Sequence, residues 1–437
     1  MGQDIAVIGT GISGLSAAWL LARQHRVTLF ERNNYVGGHT HTIEVDEDGR
    51  RLPVDTGFIV YNERNYPLLT RLFDHLGVAT QDTDMSFAAS IGPGRLEYSG
   101  SDLDGLFAQR RNLLRPGFLR MLWDIQRFNR RCHALLGRQG GFGDLSLGDF
   151  LERERLGDAF RDHYLLPMAA AIWSCPTATM LDFPAESLAR FFANHGLLDL
   201  EGRPQWKTVT GGSHVYVRRL IADLGAANLV HDPVWAVQRN GAGVAVHLAS
   251  GATARFDQAV LACHADEALE LIAHPTVDER RLLSAFAFQT NDAWLHTDEA
   301  LMPRSRRVWS AWNYLARPGS EGGRAVSVSY WMNRLQRLAT ERDYFVSLNP
   351  LEPPREDRVI ARMTYEHPVF DRGAVEAQKA LPEIQGRDRL WFAGAWTGYG
   401  FHEDGLRSAV AVAEGLGVHG HPLSATQPIE AVAGNRA

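Results

Sequence analysis

The chain has 437 residues, 45% of them hydrophobic and 22% charged, with a formal net charge of -6. That length supports two domains with substantial cores, and the acidic balance leaves no footprint for nucleic acid. Three scattered cysteines (Cys132, Cys175, Cys263) make neither a disulfide framework nor a metal site, which points to a reducing, cytoplasmic setting; no signal peptide is expected and no apolar run reaches the ~20 residues of a membrane span.

In chain order, residues 5–8 read as a buried parallel strand that stops at the turn Gly9-Thr10-Gly11-Ile12-Ser13-Gly14. Leu15, Ala18, Trp19 and Ala22 then recur at helical spacing, and the apolar run 27–30 ends in Glu31. Strand, glycine turn, helix, strand and acid in this order form the context of a dinucleotide-binding unit. Gly9 permits the tight turn, Gly11 lets backbone approach a pyrophosphate, and Gly14 lets helix pack on strand. The helix N-terminus favours an anion, and Glu31 can accept hydrogen bonds from ribose hydroxyls. The pattern alone fits NAD as well as FAD.

Further on come the loop Asp55-Thr56-Gly57-Phe58-Ile59, a helical stretch over 91–204 punctuated by Pro116, Pro167, Pro176 and Pro184, and Gly211-Gly212, which opens a helix through Val217 and Leu220. Residues 234–237 read as a strand, 243–248 and 252–256 as a meander, and 258–262 as another parallel strand. Short strand patterns such as 326–330 follow. Residues 390–395 are an apolar strand ending in glycine, and a helix starts at Asp404. The expected architecture is α/β: a Rossmann-like dinucleotide domain from 1–90, 205–270 and 386–420. A substrate or cap domain of mixed helix and sheet comes from 91–204 and 271–385, and 421–437 is a flexible tail.

One segment departs from the acidic average. Between Arg110 and Arg131 stand seven arginines against one acid, Asp124, interleaved with leucines and aromatics. Such a helix can make peripheral contact with an anionic inner membrane; the alternative is a cap helix with a solvated basic face.

The run Glu31-Arg32-Asn33-Asn34-Tyr35-Val36-Gly37-Gly38 resembles the second signature of the flavoprotein amine oxidase superfamily, which includes protoporphyrinogen oxidases, phytoene desaturases and monoamine oxidases. Residues 390–395 with 404–411 resemble its closing motif, whose helix N-terminus faces the flavin N1–C2 carbonyl and stabilises negative charge there. The resemblance implies non-covalent FAD, since no cysteine lies in the closing motif. The implied cofactor-binding residues are Gly9, Gly11, Ile12, Ser13, Gly14, Glu31, Arg32, Gly37, Gly38, His39, Thr56, Gly57, Phe58, Gly211, Gly212, Gly394, Glu403, Asp404, Gly405 and Leu406. Val234 would meet the adenine through its backbone.

The closing loop, residues 398–405, is the densest set of functional side chains. His402 is the catalytic candidate, able to move a proton near pH 7 or to make a structural hydrogen bond. Glu403 and Asp404 are read as preceding a helix and capping it. Tyr399 and Phe401 can line the space over the ring. His39 and His41 suit backbone approach and packing better than metal, so no metal site is expected. Cys175, and Cys263 beside His264, read as small buried residues.

Amine-oxidising members hold a lysine near flavin N5. Lysine occurs here only at Lys207 and Lys379, with none between 286 and 312. A closer resemblance rests on residues 55–62, 206–213, 309–314, 330–336 and 398–405. These are similar to bacterial flavoproteins encoded beside cyclopropane-fatty-acid-synthase-like methyltransferases, one branch of which is implicated in dehydrogenating methylated acyl chains. The expected activity is therefore an FAD-dependent oxidoreductase moving hydride from an apolar substrate carbon to flavin N5, probed against an amine oxidase and a redox-neutral isomerase. The expected partners are a small-molecule or lipid substrate and a methyltransferase; oligomeric state is left open.

Overall fold

The computed structural model describes residues 2–92, 94–138, 140–173, 179–199, 202–224, 228–318 and 324–424. Ser174-Cys175-Pro176 lie outside the described residues, as do 425–437. Residues 421–424, expected to belong to a flexible tail, are described, and Leu423 is buried and packs into the core.

The first apolar runs pair in parallel. A five-stranded sheet has the order Asn228–Val230, Arg26–Phe30, Asp4–Ile8, Gln258–Leu261, Leu390–Phe392. Every pairing is parallel. Asp4–Ile8 is central, so it is apolar on both faces rather than alternating, as a doubly covered parallel strand must be. The helices that shape the site are α1 (Ile12–Leu21), α2 (Pro67–Leu76), α3 (Pro116–Leu136), α4 (His214–Leu224) and α5 (His402–Gly415). Of these, α1, α2, α4 and α5 share one hydrophobic core with the sheet. α1 is buried along its whole length, which explains why it is apolar all round.

A second, seven-stranded sheet has the order Val359–Val369, Ala287–His296, Phe345–Leu348, Arg324–Trp331, Trp312–Pro318, Phe87–Ile91, Leu96–Ser99. It is antiparallel except where Trp312–Pro318 runs parallel to Phe87–Ile91. The expected division at residue 90 thus falls inside a strand of this sheet. A helical layer with its own core (Phe118, Phe128, Phe150, Phe160, Phe192) covers it. The meander over 234–256 is an antiparallel three-stranded sheet.

Three expected helix starts differ. α4 begins at His214, because Gly211 and Gly212 both hold positive φ (84° and 91°) in the preceding turn. α5 begins at His402, two residues before Asp404. Residues 110–131 are not one helix: a 3-10 turn, Arg110–Leu114, ends at Arg115, and Pro116 starts α3 afresh.

Candidate functional site

The loops at the C-terminal ends of the parallel strands open into a cavity of about 1030 Å³, the position where open α/β sheets bind ligands. Residues 9–13, Glu31, Arg32, Gly38, His39, Val234 and Gly394 line the part nearest that sheet. The rest of the wall comes from the second sheet and its helical layer.

The glycine turn is shaped by contact with its own scaffold. Gly9 has φ 102°, and a Cβ there would meet the Ala262 carbonyl oxygen at 2.5 Å. A Cβ on Gly14 would lie 1.9 Å from the Gly9 carbonyl oxygen, so α1 could not seat on the strand. Gly11 differs: no protein atom lies within 4 Å of its would-be Cβ, which leaves a bare cradle at the N-terminus of α1 for a phosphate. Glu31 is buried beside it, accepting from the Thr10 hydroxyl, the Thr10 N–H (3.2 Å) and the Asn33 N–H (2.8 Å). A carboxylate has about four acceptor positions, so it keeps capacity for a ribose hydroxyl. Arg32 pairs with Glu267 at 2.6 Å. His39 Nε2 is buried with no partner among the described residues, a donor or acceptor awaiting a ligand. These features fit a dinucleotide.

Around the turn from α5, His402 Nε2 lies 2.9 Å from the Thr40 hydroxyl and 3.2 Å from the Tyr216 hydroxyl, which bond each other. Its ring stacks on Phe58 at 3.8 Å. Burial pushes the His402 pKa down to about 3, so the imidazole is neutral near pH 7. His39 is held well below the usual range by burial and then by neighbouring His367, His264 and His402; burial brings His367 down to about 4. Tyr365 bonds Thr56 (2.6 Å) and His41 (3.0 Å). Beneath them Asp55 accepts from Ser213 N–H, Ser213 Oγ and Thr42 Oγ1, and burial outweighs these donors to raise its pKa to about 7.

The wall farther from the parallel sheet carries an apolar and aromatic strip, Tyr98, Tyr164, Met168, Ile172, Phe191 and Leu348, beside the polar Thr83, Ser86, Arg203 and Gln205. Asp84 on this wall is paired with Arg334. Neither lysine lines the cavity. Lys207 pairs with Glu63, and Lys379 with Glu376 at 2.7 Å.

Of the expected cofactor residues, Gly9, Gly11, Ile12, Ser13, Glu31, Arg32, Gly38, His39, Thr56, Gly57, Phe58, Val234 and Gly394 line the cavity together with His402. Gly14, Gly37, Gly211, Gly212, Glu403, Asp404, Gly405 and Leu406 stand behind the wall. Gly212 packs on Thr42 and Pro53; Gly405 would place a Cβ 2.7 Å from Ile12 and Ser13 of α1. Asp404 does cap α5, accepting the Phe401 N–H at 3.1 Å. Glu403 does not: its two oxygens accept from Leu68 and Leu69 at the start of α2. Phe401 lines the cavity and stacks on Phe191 at 5.2 Å, whereas Tyr399 lies behind. Cys263, expected to be buried, is half-buried and lines the cavity, where desolvation raises the pKa of its thiol. The ligand atoms of His264, Glu267 and Glu366 lie within 4.8 Å of one another, but Glu267 already serves Arg32. Thr40, Tyr216 and Tyr365 are not candidates from sequence, since lone hydroxyls far apart in the chain carry no local signal.

A family model described as flavin containing amine oxidoreductase matches residues 12–416. AofH of Mycobacterium tuberculosis, which carries the name of a flavin-containing monoamine oxidase, is 29% identical over 257 residues, covering 56% of this chain and 53% of that protein. The chain thus matches about half the length of this curated relative. Among solved structures, a putrescine oxidase mutant from a redesign of cofactor binding aligns with TM-score 0.65 at 16% identity, over 95% of this chain and 99% of that one. A CLA-producing fatty acid isomerase from P. acnes aligns with TM-score 0.65 at 17% identity, over 94% of this chain and 98% of that one. At such identities the structural likeness is one of fold.

Proposed function

The chain belongs to the flavin containing amine oxidoreductase family, and from that premise we propose that this FAD-dependent oxidoreductase dehydrogenates an apolar carbon chain, with a methylated fatty acyl group as substrate. The observation that carries the reading is the far wall of the cavity. Tyr98, Tyr164, Met168, Ile172 and Phe191 offer an apolar channel, and the carboxylate there, Asp84, is neutralised by Arg334. A cationic amine would find Asp84 already paired with Arg334; Glu366 of the second sheet also lines the cavity, 3.6 Å from His264, and neither lysine is among the lining residues.

FAD supplies a two-electron acceptor when bound; the chain's own residues bind it, orient it and dry its surroundings. The backbone around Gly11 would take the pyrophosphate, and Glu31 a ribose hydroxyl. Phe401 and His402, at the positive end of α5, would stand beside the ring. His402, neutral and held by Thr40 and Tyr216, acts in this reading as a fixed hydrogen-bonding group that positions the ring. The binding is non-covalent. The likeness of residues 55–62 and 398–405 to flavoproteins encoded beside cyclopropane-fatty-acid-synthase-like methyltransferases supports a methylated acyl chain as substrate and such an enzyme as functional partner.

Anaerobic titration tests this. Methylated unsaturated phospholipid in detergent is expected to bleach the flavin absorbance and yield product two mass units lighter. Bleaching by amines alone would establish an amine oxidase, and product of unchanged mass an isomerase; either result sinks the proposal.

A further inference from the structure

The helical layer that walls the cavity also turns an unusual surface to solvent. Leu103 is 74% exposed, Leu114 86% and Trp123 51%, with Leu113 and Leu119 also exposed. They lie on one continuous tract. The short helix Leu103–Leu106 is tied to the 3-10 turn Arg110–Leu114 by the Asp104–Arg110 ion pair (2.5 Å), and that turn runs into α3. On α3, Leu119 and Trp123 are four residues apart and share the face opposite Phe118, Met121 and Phe128. No helix here is long and apolar enough to cross a membrane among the described residues.

Charge marks what would cover this tract. Seven arginines stand against three acids between Asp102 and Arg131, in a chain of net charge -6. Arg120 and Arg127 flank Trp123, with guanidinium carbons 5.0 and 4.6 Å from its ring. Arg111 and Arg115 donate to backbone carbonyls of Gly94 and Arg95, and Arg130 to that of Gln126; none of the three has an acidic partner among the described residues. Asp102 and Asp104 flank Leu103, and Arg110, Arg120, Arg127 and Arg131 each hold an acid, so the positive excess comes from Arg111, Arg115 and Arg130; exposed leucines and tryptophan beside that excess match a surface that is apolar below and anionic at its face.

The tract also adjoins the cavity. Tyr98, Gly100 and Ser101 line it, and Leu103 follows two residues on. Tyr98 packs edge-on against Phe118 at 5.6 Å, so the helix that backs the cavity wall is the one that presents Trp123.

We propose that the surface made by Leu103–Leu106, Arg110–Leu114 and the solvent face of α3 docks on an anionic lipid bilayer. Leu103, Leu114 and Trp123 insert at the headgroup boundary, and the cavity lining at Gly100 and Ser101, both exposed, faces the lipid. The proposal rests on the apolar-substrate reading only for its purpose; the docking itself is read without turnover.

The test is flotation of the FAD-loaded chain with phosphatidylglycerol or phosphatidylcholine vesicles. Binding to phosphatidylglycerol at low salt is expected, at least ~10-fold weaker with phosphatidylcholine or in ~0.5 M salt. L114E/W123E is expected to lower binding at least ~10-fold, with unchanged FAD content and unchanged flavin reduction by detergent-dispersed substrate. R111Q/R130Q, which leaves the apolar residues intact, should flatten the salt dependence. Absence of binding, equal binding to both lipids, or binding indifferent to both variants overturns the proposal. So does a dimer in sedimentation velocity that L114E/W123E dissociates, since a second copy would then own the surface. Vesicle binding without flavin reduction by any lipid would leave the docking standing and remove the substrate reading.

Discussion

Glu403, in the first turn of α5, accepts the backbone N–H groups of Leu68 at 3.0 Å and Leu69 at 3.1 Å. A carboxylate from one helix thereby caps another, and the start of α2 is locked to the helix whose N-terminus borders the cavity.

Removing that acceptor leaves two buried donors at the head of α2. E403A is expected to destabilise the protein by about 1–3 kcal/mol, read as a lower urea midpoint. E403Q, which keeps an acceptor oxygen, should lose less. Equal midpoints for wild type and E403A would show that the cap contributes nothing.

Two glycines of the first turn separate binding from folding. G11A puts its Cβ where no protein atom comes within 4 Å, whereas G14A drives a Cβ to 1.9 Å from the Gly9 oxygen. G11A is expected to keep apo stability within ~0.5 kcal/mol while FAD affinity falls at least ~10-fold. G14A should yield little folded protein. Isothermal titration with FAD beside apo-protein melting checks both.

The pH dependence of flavin reduction is a further check. His402 is neutral down to about pH 3, so no ionisation near 6.5 should arise from it between pH 5 and 9. H402A is expected to slow reduction by about the same factor at every pH in that range. A loss confined to one side of pH 6.5 would reassign His402 as a proton carrier. The depressed pKa also has a stability sign. The unfolded imidazole takes a proton near 6.5 and the folded one does not, so this contribution is lost as pH falls from 6.5 toward 3.

Asp55 has the opposite sign. Its carboxyl ionises at 3.8 when unfolded and about 7 when folded, so its contribution is present below 3.8 and is lost as pH rises to about 7. The span corresponds to on the order of 4 kcal/mol. D55N keeps an acceptor for Ser213 without the ionisation. Chemical denaturation at pH 5 and pH 8 should find D55N gaining on wild type at the higher pH; a constant difference would refute the raised pKa.

What can be read before folding is whatever lies within one strand–turn–helix unit. The apolar run 5–8, the spacing of Gly9, Gly11 and Gly14, and Glu31 after the next strand are local, and each is forced by backbone geometry within a few residues. The FAD assignment needs the second glycine pair and the closing helix as well. By contrast, Thr40–Tyr216 and Thr56–Tyr365 join residues 176 and 309 apart, and a hydroxyl has no pattern that announces so distant a partner. Glu403 escapes a local reading for a related reason: an acid near a helix start caps whichever helix end is closest in space, and here that end is brought in from residue 68. Pro116, by contrast, is visible in the sequence and is a sufficient signal that the arginine-rich tract divides.

The strand order of the parallel sheet carries a further consequence. Asp4–Ile8 finds its partners at residues 26 and 258, and Gln258–Leu261 finds its outer partner only at residue 390. During synthesis, then, the strand before the cradle waits for residue 258 to gain its second partner, and Gln258–Leu261 presents a bare apolar edge, open to mispairing, until residue 390 is made. Long-range parallel closure of this kind is slow, and a cofactor that binds only the closed sheet draws the chain toward it. Riboflavin supply during expression should therefore govern how much of this protein escapes aggregation.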